Sequence, residues 1–183
     1  MRPDDVLNSL REGNERFASG AMVRHERVTD PAGGIPVHKP KAVVIACSDA
    51  RVPPEAVFDQ GPGELFVVRC AGHVMEPASW ASVWFAVEVV GAHTIVVLGH
   101  EGCAAVEAAM SSNTPDAFGA VIGPIRARTG HTDVTCAIEA NVRVTVHEVE
   151  AHLRETIERL GGEVQIAGAI CSLKTGKVEW LEE

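Results

Sequence analysis

The sequence predicts an α/β protein: a central, mostly parallel sheet flanked by helices, with an N-terminal helical arm and a C-terminal edge strand. Three observations lead there. Four short runs, Lys41–Cys47, Glu64–Cys70, His93–Gly99 and Val164–Cys171, are apolar without alternation and rich in β-branched residues, as strands covered on both faces are. Helical rhythm falls between the runs rather than beside them. A turn signal, Lys174-Thr175-Gly176, precedes a last short run, Lys177–Leu181, which reads as the edge strand.

In chain order, residues 3–18 set Val6, Leu7, Leu10 and Phe17 among charges, predicting a helix with one packing face. Ser19–Lys41 has no period and is broken by Pro31, Gly33, Gly34, Pro36 and Pro40, so it reads as an irregular arm. Ala78–Val90 has the length of a crossover helix, Cys103–Met110 is a short one, and Val134–Leu160 a long one stopped by Gly161-Gly162. No repeat or linker divides the chain, so residues 1–183 are expected to form one domain, an arm (1–40) on an α/β core (41–183).

With 46% hydrophobic and 22% charged residues, the chain has the balance of a soluble globular protein. A net charge of −9 argues against nucleic acid or an anionic membrane as partner, since both need a basic face. No stretch reaches the roughly 18 apolar residues of a membrane span, and the charged start is no signal peptide. A cytoplasmic protein is expected, in which Cys47, Cys70, Cys103, Cys136 and Cys171 are thiols or ligands rather than disulfides.

In open α/β sheets, sites form beyond the carboxyl ends of the strands. The first run ends there in Cys47-Ser48-Asp49-Ala50-Arg51, the third in His100-Glu101-Gly102-Cys103. If those strands are neighbours, two thiols and an imidazole converge. Such a donor set suits zinc, and three protein ligands leave one position open, as catalytic sites do. Asp49 is placed to fill that position, or water is. Arg51 can take the Asp49 carboxylate in a bidentate pair and hold it off the metal. Each piece alone also has an ordinary reading: a strand-end cysteine as a small buried hydrophobe, Asp49 as a cap, Arg51 as a surface charge, the whole as a structural zinc site.

At C-x-D-x-R followed by H-x-x-C the sequence resembles the β-class carbonic anhydrases, of bacterial, actinobacterial-looking type. The flanks extend the likeness: REGNERFASG, VIACSDARVPPEAVFDQGPGELFVVRCAGH, WFAVEVVGAHTIVVLGHEGCAAV, EANVRVTVHEV and AGAICSLKTGKVEWL. It covers nearly the whole chain and is weakest over Ser111–His131. It implies reversible hydration of CO2 to bicarbonate and a proton by hydroxide formed at Zn2+ on Cys47, His100 and Cys103. Asp49 and Arg51 would be the catalytic pair, with Asp49 a fourth ligand in a closed state. A homodimer or larger assembly of dimers is implied, with the N-terminal helix wrapped on the partner and the site at the interface. His38, Phe66, Ala71, Phe85 and Ala104 would form the substrate pocket.

Several positions depart from the commoner pattern. His38 stands where many members have Gln, and Phe85 where they have Tyr. Glu101 replaces Ser or Thr, Ala104 replaces Gly, and His73 often Asn. His38 is expected to supply the lost donor and add a pH dependence; a loop histidine on the surface is the alternative. Glu101 is expected to be solvated, with an anion supporting the ligand His100 as the alternative, and Ala104 is expected to open a helix. Phe66 either lines the pocket or packs in the core. Cys70 is expected to be a buried thiol, Cys136 and Cys171 core residues, and His25, His93, His131, His147 and His152 surface or packing residues. Val44, where one branch of the family has Trp, predicts no inhibitory bicarbonate site. Two other functions remain open: hydrolysis of CS2 or COS, linear analogues suited to a more apolar entry, and a catalytically silent zinc-stabilised scaffold.

Overall fold

A computed structural model describes residues 2–25, 35, 37–130 and 133–182. Helix α1 (Pro3–Ser19) precedes strand β1 (Ala42–Cys47), a single helical turn α2 (Pro54–Val57), β2 (Leu65–Cys70), α3 (Pro77–Phe85), β3 (Thr94–His100), α4 (Ala104–Met110), α5 (Gly119–Arg128), α6 (Val134–Arg159), β4 (Gln165–Cys171) and β5 (Val178–Trp180). Every strand run and every helix expected from periodicity is present, with bounds that agree to within one residue except at the end of α3, which stops at Phe85 rather than Val90. Gly119–Arg128, which contains Pro124, is a helix that the pattern did not announce, and α3 runs on into a π-helical turn, Ala86–Val90. Expectations resting on 26–34, Pro36 and His131 lie outside the described residues.

The sheet order is β2-β1-β3-β4-β5, with β2, β1, β3 and β4 parallel and β5 antiparallel on the edge. All of β1 and β3 is buried, which is why their sequences lack alternation. Side chains nonetheless alternate between faces. Val44, Ala46, Val96 and Leu98 pack with Val6, Leu7 and Leu10 of α1. Val43, Ile45, Ile95 and Val97 pack with Val83 of α3 and Val142, Val149 and Leu153 of α6. A third cluster, including Val106, Ile125 and Ile138, closes over the strands' carboxyl ends.

The resemblance sends α1 to a partner; in the structure its apolar face packs on its own chain's sheet. Buried Asn14 holds it there, donating to the carbonyls of Val57 and Gly176 and accepting from the Val178 N–H. Gly13 permits the close approach: a Cβ there would lie 1.8 Å from the Phe58 carbonyl oxygen, and backbone cannot step aside. Gly13→Ala is therefore expected to undock α1 and cost about 3 kcal/mol as overpacking, read as a lowered urea midpoint; an unchanged midpoint would show that α1 is not seated this way.

The arm's start is fastened by buried Asp59, which accepts from Arg16 Nε (2.5 Å), His25 Nε2 (3.0 Å) and the Val23 N–H (3.3 Å). His25 thus has a partner that sequence spacing hid. His152 is a packing residue, stacked on Trp80 at 3.9 Å, and His147 is exposed. Cys171 is buried as expected, but Cys136 is exposed and Cys70 half-buried. Cys136 lies in the first turn of α6 on the face turned to solvent, while Ala137 and Ile138 beside it are buried. No described helix is long and apolar enough to cross a membrane.

Candidate metal centre

Strand order makes the site. From β1 the chain crosses to one side, to β2; from β3 it crosses to the other, to β4. The crevice beyond the carboxyl ends of β1 and β3 is thus a topological switch point, where open α/β sheets bind their ligands. Cys47 ends β1, His100 ends β3, and Cys103 stands just before α4 after a tight turn at Gly102, whose φ of 57° suits glycine.

The three ligand atoms lie within 4.8 Å of one another, all on buried residues, and the two sulfurs are 4.0 Å apart. No other group of three or more such side chains converges among the described residues. His100 Nδ1 faces the Glu101 carbonyl at 2.8 Å. A carbonyl only accepts, so Nδ1 carries the proton and Nε2 presents its lone pair. Nε2 is buried without a hydrogen-bond partner.

Charge at the cluster argues the same way. The neighbouring Cys103 thiol lowers the pKa of Cys47 against the effect of burial, with His100 and the Gly72 N–H assisting. That same proximity, with burial, raises Cys103. A cation between the sulfurs would favour the second thiolate. Burial pushes the His100 pKa down, yet the Cys47 sulfur, the Glu101 carbonyl and Asp49 outweigh it and leave it raised. An orphaned nitrogen, two soft sulfurs and a demand for positive charge fit a thiophilic metal such as zinc.

Asp49 is turned towards Arg51 and is not among the converging atoms. Its Oδ1 accepts from Arg51 N–H and Nε at 2.9 Å each, its Oδ2 from the Arg51 terminal nitrogen at 2.6 Å. That nitrogen also reaches the Gly102 carbonyl at 3.1 Å, tying the two loops together. Arg51 holds the Asp49 carboxyl well below the usual carboxylate range. Asp49 Oδ2 lies 3.9 Å from His100 Nε2, beside the cluster rather than in it.

Ala71 follows β2 and Ala104 opens α4, as expected. The other pocket residues are not gathered here. His38 is exposed and its ring lies 6.0 Å from that of Phe66. Phe66 pairs with Val43, four residues before the Cys47–Cys70 register position, or about 13 Å along the strand. Phe85, at the end of α3, is 49% exposed.

Glu101 is half-buried and tied down rather than free in solvent: its Oε2 accepts from Ser172 Oγ (2.9 Å) and the Leu173 N–H (3.0 Å). The turn after β3 brings it onto the loop after β4, a neighbour that sequence spacing cannot show. Arg69 was also missed: it donates to the Cys47 and Asp49 carbonyls at 2.8 and 2.6 Å and clamps the loop between them. An arginine inside an otherwise apolar run was its only signal.

Comparison with known proteins matches the carbonic anhydrase family to residues 42–178. Carbonic anhydrase 2 of Mycobacterium tuberculosis is 36% identical over 96% of this chain and 91% of its own length. A Pseudomonas aeruginosa carbonic anhydrase is 34% identical over 78% of this chain and 74% of its own. Among solved structures, a Coccomyxa β-carbonic anhydrase in complex with acetazolamide superposes with a TM-score of 0.73 at 21% identity, covering 98% of this chain and 83% of that one. A β-carbonic anhydrase described as tetrameric, from Sordaria macrospora, gives 0.71 at 20% identity, covering 98% and 93%.

Proposed function

Because the chain belongs to the β-class carbonic anhydrase family, we propose that it catalyses reversible hydration of carbon dioxide to bicarbonate and a proton, with zinc on Cys47, His100 and Cys103. The observation that carries the reading is the buried His100 imidazole, whose Nε2 has no hydrogen-bond partner and whose ligand nitrogen lies within 4.8 Å of two cysteine sulfurs. Bound zinc would supply a Lewis acid that acidifies water towards neutrality. The two sulfurs balance its charge, and the Glu101 carbonyl keeps the imidazole in the ligating tautomer. Arg51 holds Asp49 beside the cluster as an ionised acceptor, able to take a hydrogen bond or proton at Oδ2. Arg69 keeps the loop that carries Asp49 in place.

A second copy of the chain completes the pocket. Phe66 lies about 13 Å along the strand from the register of Cys47, and the exposed His38 and Phe85 suit an interface, so a homodimer, alone or in an assembly of dimers, brings them to a neighbouring site. In this arrangement His38 replaces the missing amide donor. Residues 1–183 work as one domain, arm and core together. The five free cysteines suit a cytoplasmic enzyme.

Metal analysis beside a carbon dioxide hydration assay, from neutral to alkaline pH, tests the reading. About one zinc per chain and a rate rising with pH are expected. Zinc-replete protein without hydration would leave a silent scaffold, and sulfide release from CS2 or COS in its place would reassign the substrate.

A further inference from the structure

Cys47 has a third neighbour besides the imidazole and the second sulfur. The Gly72 N–H donates to its Sγ at 3.2 Å. That donor sits in a demanding turn, since Gly72 and His73 both have positive φ, 62° and 47°. For a residue with a Cβ this region costs about 1 kcal/mol or more and persists only where its surroundings over-determine it. At Gly72 a Cβ would also lie 2.5 Å from Ile125 Cδ1. His73 is buried, and its Nδ1 has no hydrogen-bond partner among the described residues. Something outside the turn must hold it.

Asn141, fully buried on α6, does so. Its Nδ2 lies 3.0 Å from the Gly72 carbonyl and 3.0 Å from His73 Nε2. The carbonyl only accepts, which fixes the amide's orientation and makes His73 Nε2 an acceptor as well. Burial agrees, pushing the His73 pKa down to about 4. Behind Asn141 stands Arg128 of α5, 3.5 Å from its Oδ1, bonded to Thr145 Oγ1 at 3.1 Å and to both Glu148 oxygens at 2.8 and 2.7 Å. The guanidinium turns the amide oxygen away from the turn and the amide nitrogen towards it.

We propose that Asn141 is a positioning residue for the metal centre, locking the Gly72–His73 turn so that the Gly72 N–H stays on the Cys47 sulfur. It touches neither metal nor substrate. A hydrogen bond to a ligating thiolate withdraws charge from it and fixes its direction, and outer partners of this kind are worth about 10–100-fold in metal affinity. The inference rests on Cys47 being a metal ligand.

Cobalt(II) loading of the full chain tests it, because a sulfur-to-cobalt charge-transfer band reports on the thiolates without any turnover. Asn141→Ala removes the donor; Asn141→Asp keeps the volume and the Arg128 partner but puts an acceptor against the Gly72 carbonyl. Both are expected to shift the band and to weaken zinc retention against a chelator about tenfold. Val149→Ala, a core truncation further along α6, should lower stability while leaving band and retention unchanged. Asn141 variants with the wild-type band and wild-type zinc retention would overturn the inference. A wild-type protein with no thiolate band would overturn the metal reading itself, and this inference with it.

Discussion

Cys47→Ser is expected to abolish zinc binding and carbon dioxide hydration together, the hydration falling to the uncatalysed rate. The hydroxyl is a poor exchange for a thiolate. Its pKa lies far above that of a thiol, so the site loses one of the two negative charges that balance the ion, and the harder oxygen suits zinc less in this soft set. Changes in outer partners already cost about 10–100-fold in affinity, and loss of a ligand exceeds that. Cys47 is buried at the carboxyl end of β1 and accepts from the Gly72 N–H, so the shorter serine side chain also draws the acceptor away from that donor. Metal content by elemental analysis and hydration by stopped flow check both halves of the result. A variant that kept zinc at full occupancy and its rate would remove Cys47 from the ligand set and the proposed centre with it.

Asp49→Ala is expected to do the opposite with the metal: zinc stays, and hydration falls by about 10²–10⁴-fold, the range a positioned proton acceptor supplies. Asp49 lies outside the converging trio and is held on Arg51 by a bidentate contact, so its removal leaves all three donors in place. Full zinc with a lost rate also separates an enzyme from a scaffold, because a structural site would not register the change. An unchanged rate would reduce Asp49 and Arg51 to the ordinary reading of a cap and a surface charge. Loss of zinc would make Asp49 a ligand instead.

The limits of reading by residue pattern follow particular side chains. The strands were legible because β1 and β3 are buried on both faces, and burial of that kind leaves unbroken apolar runs. Helix α5 was not, since glycines and Pro124 dilute its pattern and its buried residues, Ile122 and Ile125, are too few to show a period. Glu101 was misjudged because its partners, Ser172 and Leu173, are some seventy residues away. Asn141 carried a faint signal: it stands with Ala137 and Thr145 at helical spacing on the buried stripe of α6, where a polar side chain needs a partner. Cys136 is only five residues earlier, yet the helix turns it to solvent.

By itself the sequence determined the order and kind of the main elements, the family, and the identity of the side chains at the two strand tips. Burial on one or two faces and the chemistry of a thiol or an imidazole are properties of a residue and its near neighbours, and so can be read along the chain. Only the tertiary structure decided that β1 lies beside β3, that the sulfurs stand 4.0 Å apart, that Glu101 meets the loop after β4, and that the Gly72 N–H reaches the Cys47 sulfur. Those are relations between segments far apart in the chain. They depend on strand order and on which side each crossover takes, and the sheet's packing sets both only once the chain has closed on itself.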